Sequence, residues 1–141
     1  MRFVIDTNVF VSSLSSRSES HWIIMALLDE QFELCVSHEM LLEYEEILKR
    51  KYSLPVAENF LRSLKNLPNV YFIDIYYHWD VLKDKDDNKF FDAAISGQAH
   101  YLVTEDKDYN IVKKIPFPKL KIINIEFFKI ILFNEVEDLA S

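Results

Sequence analysis

Five short runs of β-branched and aromatic residues recur along the chain, near 3–5, 34–36, 70–75, 101–104 and 121–125. Between them lie segments of helical spacing, at about 19–30, 38–52, 56–66, 87–99 and 126–133. This alternation constrains the fold more than any other feature. Strands joined by helix-length crossovers pair in parallel, and a parallel sheet has both faces covered, so its strands read as continuous apolar runs, as Tyr101-Leu102-Val103 does. The expectation is an α/β fold with a largely parallel sheet between helices. With 141 residues, one glycine and no repeat, low-complexity tract or Gly/Ser linker, the chain is expected to form a single domain, 1–141, around one core.

In open α/β sheets, ligands bind beyond the carboxyl ends of the strands. Phe3-Val4-Ile5 delivers Asp6 to such an end, with Thr7 and Asn8 directly behind it. Thr104 closes the fourth run, and Asp106 follows two residues later. Both aspartates are therefore expected on one rim, where a charge must be paired, solvated or used.

The densest acids lie in DKDDNKFFDAAI, 84–95. Asp86 or Asp87 can N-cap a helix whose apolar positions, Phe90 or Phe91, Ala94 and Ile95, follow at helical spacing. Asp84, Asp86 and Asp87 suit a solvated helix start, which the macrodipole favours for acids. Asp92 differs, because it stands between Phe91 and Ala93 in an apolar stretch, in line with Asn88 and Ser96. The segment SHEMLLEYEEILKRKY, 37–52, has an amphipathic pattern, with Ser37 as N-cap and Lys49, Arg50 and Lys51 in its last turns. Glu43 and Glu45 border its apolar stripe of Met40, Leu41, Tyr44, Ile47 and Leu48 on opposite sides, and periodicity leaves both as candidates.

Acids outnumber bases 23 to 16, which argues against general adhesion to nucleic acid or an anionic membrane. Carboxylates gathered from distant parts of the chain repel one another by several kcal/mol unless a hard cation, Mg²⁺ or Mn²⁺, neutralises them. Such a cation lowers the pKa of a bound water and holds a phosphate oxygen, so the implied chemistry is metal-assisted phosphodiester hydrolysis. Other chemistries lack a motif. His21, His38, His78 and His100 stand at no ligand spacing, and Cys35, alone in an apolar run, forms no internal disulfide. No run approaches the roughly 18 apolar residues of a membrane span, and the start lacks a signal-peptide pattern. A reducing cytoplasm is the expected location.

Four stretches carry a family resemblance: VIDTNVFVSSL, SHEMLLEYEEIL, DDNKFFDAAISGQAHYLVTEDKDY and KIINIEFF. In their joint order and spacing, over nearly the whole chain, the sequence resembles PIN-domain ribonucleases, in particular the VapC-like toxins of toxin–antitoxin systems. The resemblance implies a three-layer α/β/α sandwich around a mainly parallel sheet of four or five strands, with an acidic cavity at the strand C-termini. It maps the family's four acidic positions onto Asp6, Glu43, Asp92 and Asp106, which selects Glu43 over Glu45, and it makes Asp87 an additional acid. Asp6, Asp92 and Asp106 are then expected as Mg²⁺ or Mn²⁺ ligands, and Glu43 as the residue that positions or deprotonates the attacking water. Asn8 and Thr104 are expected as supports of the carboxylates. The resemblance further implies an RNA substrate, an antitoxin protein as partner, and a homodimer. The rival expectation is an idle PIN-like module that docks a protein or RNA without cleaving it. A nuclease of RNA maturation or DNA-flap type would usually carry further segments.

The window KDYNIVKKIPFPKLK, 107–121, holds five lysines against Asp108. Lys107 and Lys113, with Lys114 beside them, are candidates to steer an RNA backbone toward the rim, and Asp108 is a candidate helix cap. Trp22, Tyr44, Trp79 and Phe127 are expected in the core or at a dimer surface rather than as base-stacking platforms. The apolar residues of 53–67 suit core, a subunit contact or an antitoxin groove.

Overall fold

The computed structural model describes the backbone of residues 1–140 and the side chains of residues 1–134. Five strands, β1 (Arg2–Ile5), β2 (Glu33–Ser37), β3 (Val70–Ile73), β4 (Tyr101–Val103) and β5 (Lys121–Ile123), form one sheet in the order β3-β2-β1-β4-β5. Every pairing is parallel. The helices are α1 (Thr7–Ser12), α2 (Trp22–Leu28), α3 (His38–Lys51), α4 (Leu54–Asn66), α5 (Asn88–Ser96) and α6 (Ile125–Ala140), with 3₁₀ segments at Lys85–Asp87 and Lys107–Lys114. None of the described helices is long and apolar enough to cross a membrane.

The chain winds outward from β1 to β2 and β3, then returns to the other side of β1 for β4 and β5. The order therefore reverses between β1 and β4, and a crevice opens beyond their carboxyl ends. Asp6 and Asp106 follow those two strands.

Alternate residues of β1 feed the two faces. Phe3 packs on one face against Phe32, Tyr101 and Phe128 of α6, with ring centroids 4.5–5.6 Å apart, and Trp22 of α2 closes over Phe128 at 5.1 Å. On the other face α5 lies close to the sheet at Gly97, the only glycine of the chain. A Cβ there would stand 2.9 Å from Cys35 Sγ and 3.0 Å from both Ala93 O and Ile73 Cδ1. Close approach rather than backbone freedom requires glycine at this position. Cys35 is buried and free, as its apolar surroundings imply.

The helix expected from residue 19 begins only at Trp22. Before it, serine hydroxyls accept backbone N–H groups locally, Ser18 Oγ from Ser20 and Ser15 Oγ from Arg17, and this local bonding competes with helix formation. Two turns of helix instead form directly after Asp6, and that α1 is too short to leave a periodic pattern. α4 starts earlier than the pattern suggested, capped by Ser53 and with Pro55 in its first turn. β3 stops at Ile73, two residues short, and residues 74–84 cross toward α5 as an irregular segment.

Candidate active site

Asp6 is fixed by three elements at once. Tyr44 of α3, fully buried and stacked on Phe10 of α1 at 4.7 Å, donates from its hydroxyl to the Ile5 carbonyl at 2.6 Å and so holds the end of β1. The Asp6 N–H continues the sheet ladder to Val103 O at 3.0 Å. On the side chain, Oδ1 accepts the Asn8 N–H at 2.8 Å and caps α1, while Oδ2 accepts the Thr104 hydroxyl at 2.5 Å. Thr104 Oγ1 accepts in turn the Asp106 N–H at 3.0 Å, so one threonine orients both aspartates. Asp106 Oδ1 accepts the Asp108 N–H at 2.9 Å. The cap of the 3₁₀ segment is therefore Asp106, a correction to the expectation for Asp108.

Asp6 and Asp106 share a cleft of about 330 Å³ with Asn8, Ser12 and Glu105. Asn8 contributes its backbone N–H to Asp6 and an exposed side chain to the cleft wall. Glu105 is turned to another task, since its Oε1 accepts the Ile125 N–H at the start of α6 at 2.8 Å.

Asp87 belongs with this pair. It precedes α5 without making a side-chain cap, and the cap of the short 3₁₀ turn is Asp84, which accepts the Asp86 N–H at 3.0 Å. Neither Asp86 nor Asp87 is thus the side-chain N-cap that the sequence suggested. Burial, followed by the charges of Asp84, Asp106 and Asp6, pushes the Asp87 carboxyl from an ordinary 3.8 up to about 6, against a hydrogen bond from the buried Tyr109. Asp6 is raised as well, by burial first, with the Asp106 charge adding to it and the bonds from Thr104, Asn8 and Val9 opposing. Three carboxylates that feel one another make an anionic site.

Glu43 and Glu45 separate in space. Glu45 makes an i,i+4 pair with Lys49 at 2.7 Å on the surface of α3. Glu43 faces inward, accepting the Thr7 hydroxyl on Oε2 and the Lys89 ammonium on Oε1, the latter at 2.9 Å. Lys89 is a site residue that sequence reasoning missed. Lys85 stands four residues before it, one helical turn away, so charge pattern alone gave no reason to prefer Lys89. Only its side-chain exposure of 15 %, against 83 % for Lys85, tells them apart.

Asp92 is held by partners of its own. It is 2 % exposed; Oδ1 accepts the Trp79 N–H at 3.0 Å, and Oδ2 lies 3.2 Å from His78 Nδ1. One turn earlier Asn88 acts likewise, accepting the Leu82 N–H at 2.8 Å and donating to Leu82 O at 3.2 Å. Together they pin the segment between β3 and α5. The structure thus brings Asp6 and Asp106 into one cleft, sets Asp87 beside Tyr109, whose hydroxyl donates to the Asp87 carbonyl at 3.4 Å, ties Glu43 to Thr7 next to Asp6, and holds Asp92 against the Trp79 N–H.

No group of three or more His, Cys, Asp or Glu side chains among the described residues is placed to enclose a metal ion. The rim offers an open donor set instead: Asp6 and Asp106 in one cleft, with Asp87 within reach of both charges. That set fits a Mg²⁺-type ion, which keeps several waters and binds through one or two carboxylates, and it does not fit a closed cage. Lys107 and Lys113, both exposed, line an adjoining cleft of about 400 Å³ that also contains Asp106.

A family model described as the PIN domain matches residues 2–108. Among solved structures, the chain is similar to one in the crystal structure of VapBC2 from Rickettsia felis bound to a DNA fragment from their promoter. The match has a TM-score of 0.62 at 18% identity and covers 88% of this chain and 98% of that one. No curated protein matches the sequence.

Proposed function

The chain belongs to the PIN-domain family, and on that premise we propose that it is a divalent-metal-dependent endoribonuclease, the toxin of a toxin–antitoxin pair. The observation that carries the nuclease reading is the cleft shared by Asp6 and Asp106 at the point where the strand order reverses, with the Asp87 carboxyl raised by both charges. Asp6 and Asp106 would hold Mg²⁺ or Mn²⁺, with Asp87 completing the set directly or through water. When bound, the ion supplies the positive charge that holds a phosphate oxygen and lowers the pKa of a water. Thr104 keeps both aspartates oriented. Glu43 holds Thr7 and Lys89 in place, and each of its oxygens keeps a second lone pair with which to orient the attacking water. Lys107 and Lys113 would meet the RNA backbone beside the acids.

The toxin role, in the cytoplasm, is supported by the likeness to VapBC2. An antitoxin, or a second copy in a homodimer, would cover the exposed Leu42 of α3 and Leu54 and Val56 of α4. The rival reading, an idle docking module, draws on the absence of a preassembled three-donor group among the described residues. An RNA cleavage assay separates the two. Single-stranded RNA is expected to be cut with millimolar Mg²⁺ or Mn²⁺ and left intact in excess chelator. No cleavage with either ion would favour the idle module.

A further inference from the structure

Two routes lead away from the acids, and both pass Glu105. One is a cleft of about 680 Å³ whose walls carry Glu19, Glu105 and Glu126, with Lys129 among them. The other runs from Thr104 and Asp106 past Lys107 to Lys113 and Phe127. It shares Lys113, Ile122, Ile123 and Phe127 with a further cleft of about 810 Å³ that continues to Lys119, Lys121 and His100. This second route follows the edge strand β5. Ile123 pairs with Val103 at the rim and Lys121 with Tyr101 two residues below, a descent of about 7 Å along the strand.

The chemistry of the two routes differs. Lys107, Lys113, Lys119 and Lys121 line the β5 route, and its acids, Glu105 and Asp106, stand at its rim end, so beyond the rim the route is a positive path across an acidic protein. Its floor is apolar, from the buried Val112 and Ile123. On its wall Phe127 is 48 % exposed, so it lies outside the core in which the sequence suggested it, at the start of a helix fixed by Asn124 Oδ1 accepting the Phe127 N–H at 2.8 Å. Lysines spaced along a groove, with an aromatic face between them, suit a single nucleic-acid strand, whose phosphates meet ammonium groups while a base stacks.

Resting on the nuclease reading above, we propose that the β5 groove is the track of the RNA substrate: single-stranded RNA runs from the acids along Lys107, Lys113 and Lys121, with a base stacked on Phe127. The route past Glu19 and Glu126 repels the same polyanion. A folded duplex gains little here, because stacking on Phe127 needs an unpaired base.

The test is fluorescence anisotropy of a labelled single-stranded RNA with the wild-type chain and its variants in chelator, so that nothing is cut. Lys113→Gln with Lys121→Gln is expected to weaken binding at least about fivefold and to lower the slope of log affinity against log salt by about 1.4, near 0.7 per lost phosphate contact. Phe127→Ala is expected to weaken binding about fivefold or more with the slope unchanged. Lys65→Gln, an exposed lysine on α4, and Glu19→Gln with Glu126→Gln leave affinity at least as tight as wild type. Firm RNA binding that ignores the groove variants overturns the track while leaving the nuclease reading in place. Failure of the wild-type chain to bind RNA at low salt overturns both.

Discussion

Asp6→Asn is expected to lower RNA cleavage by roughly a thousandfold while leaving the fold intact. Removing a carboxylate that holds the ion takes away several kcal/mol of transition-state charge stabilisation, and about 1.4 kcal/mol is worth a factor of ten in rate. The fold survives because asparagine caps helices as well as aspartate does, so its side-chain oxygen still accepts the Asn8 N–H at the start of α1. The Thr104 hydroxyl can donate to that amide oxygen or turn to another acceptor. Circular dichroism and melting of the variant separate lost chemistry from lost structure. Cleavage within tenfold of wild type would remove Asp6 from the site.

Asp87→Asn and Asp92→Ala are expected to act in opposite ways. Asp87 carries a folded-state pKa of about 6 against an ordinary 3.8. Between about pH 4 and pH 6 the folded chain binds a proton that the unfolded chain has released, so stability falls as pH rises through that window. At 1.36 kcal/mol per unit the shift corresponds to about 3 kcal/mol, which solvent screening of a part-exposed group reduces to about 1–2 kcal/mol. Asp87→Asn removes that penalty. In chelator at pH 7.5 the variant should melt about 3–6 °C above wild type and lose the acid-side rise in stability, while its metal-dependent cleavage drops about a hundredfold. Asp92→Ala instead leaves the Trp79 N–H without its acceptor and is expected to cost about 1–3 kcal/mol, with cleavage per folded molecule within a few-fold of wild type. The reverse pattern, activity lost at Asp92 and kept at Asp87, would return Asp92 to the metal site.

The strand runs and their parallel pairing were legible from the sequence, because buried parallel strands leave no polar face to confuse the pattern. The rim was legible too. Once β1 ends at Ile5 and β4 at Val103, topology alone carries Asp6 and Asp106 to neighbouring positions. α1 was not, since a six-residue helix is set by the Asp6 cap and by the packing of Phe10 on Tyr44 rather than by periodicity. In 84–95 the obstacle was rotational. Asp87 and Asp92 are both acids near one helix start, and a turn of helix separates an acid at the crevice from one aimed at the Trp79 N–H. That choice depends on where residues 74–82 run, and an irregular segment leaves no periodic signal. Lys89 was hidden for a related reason, because its partner Glu43 lies 46 residues away on another helix.

A divalent ion seated on the rim acids would stabilise the folded chain, and the melting temperature at pH 7.5 of wild type and Asp6→Asn, each with chelator and with excess Mg²⁺, reads that binding directly. Ion at 100 times its dissociation constant stabilises the chain that binds it by about 2.7 kcal/mol. Wild type is expected to gain several degrees and Asp6→Asn almost none. An equal shift in both proteins, or no shift in wild type, would show that Asp6 does not hold the ion.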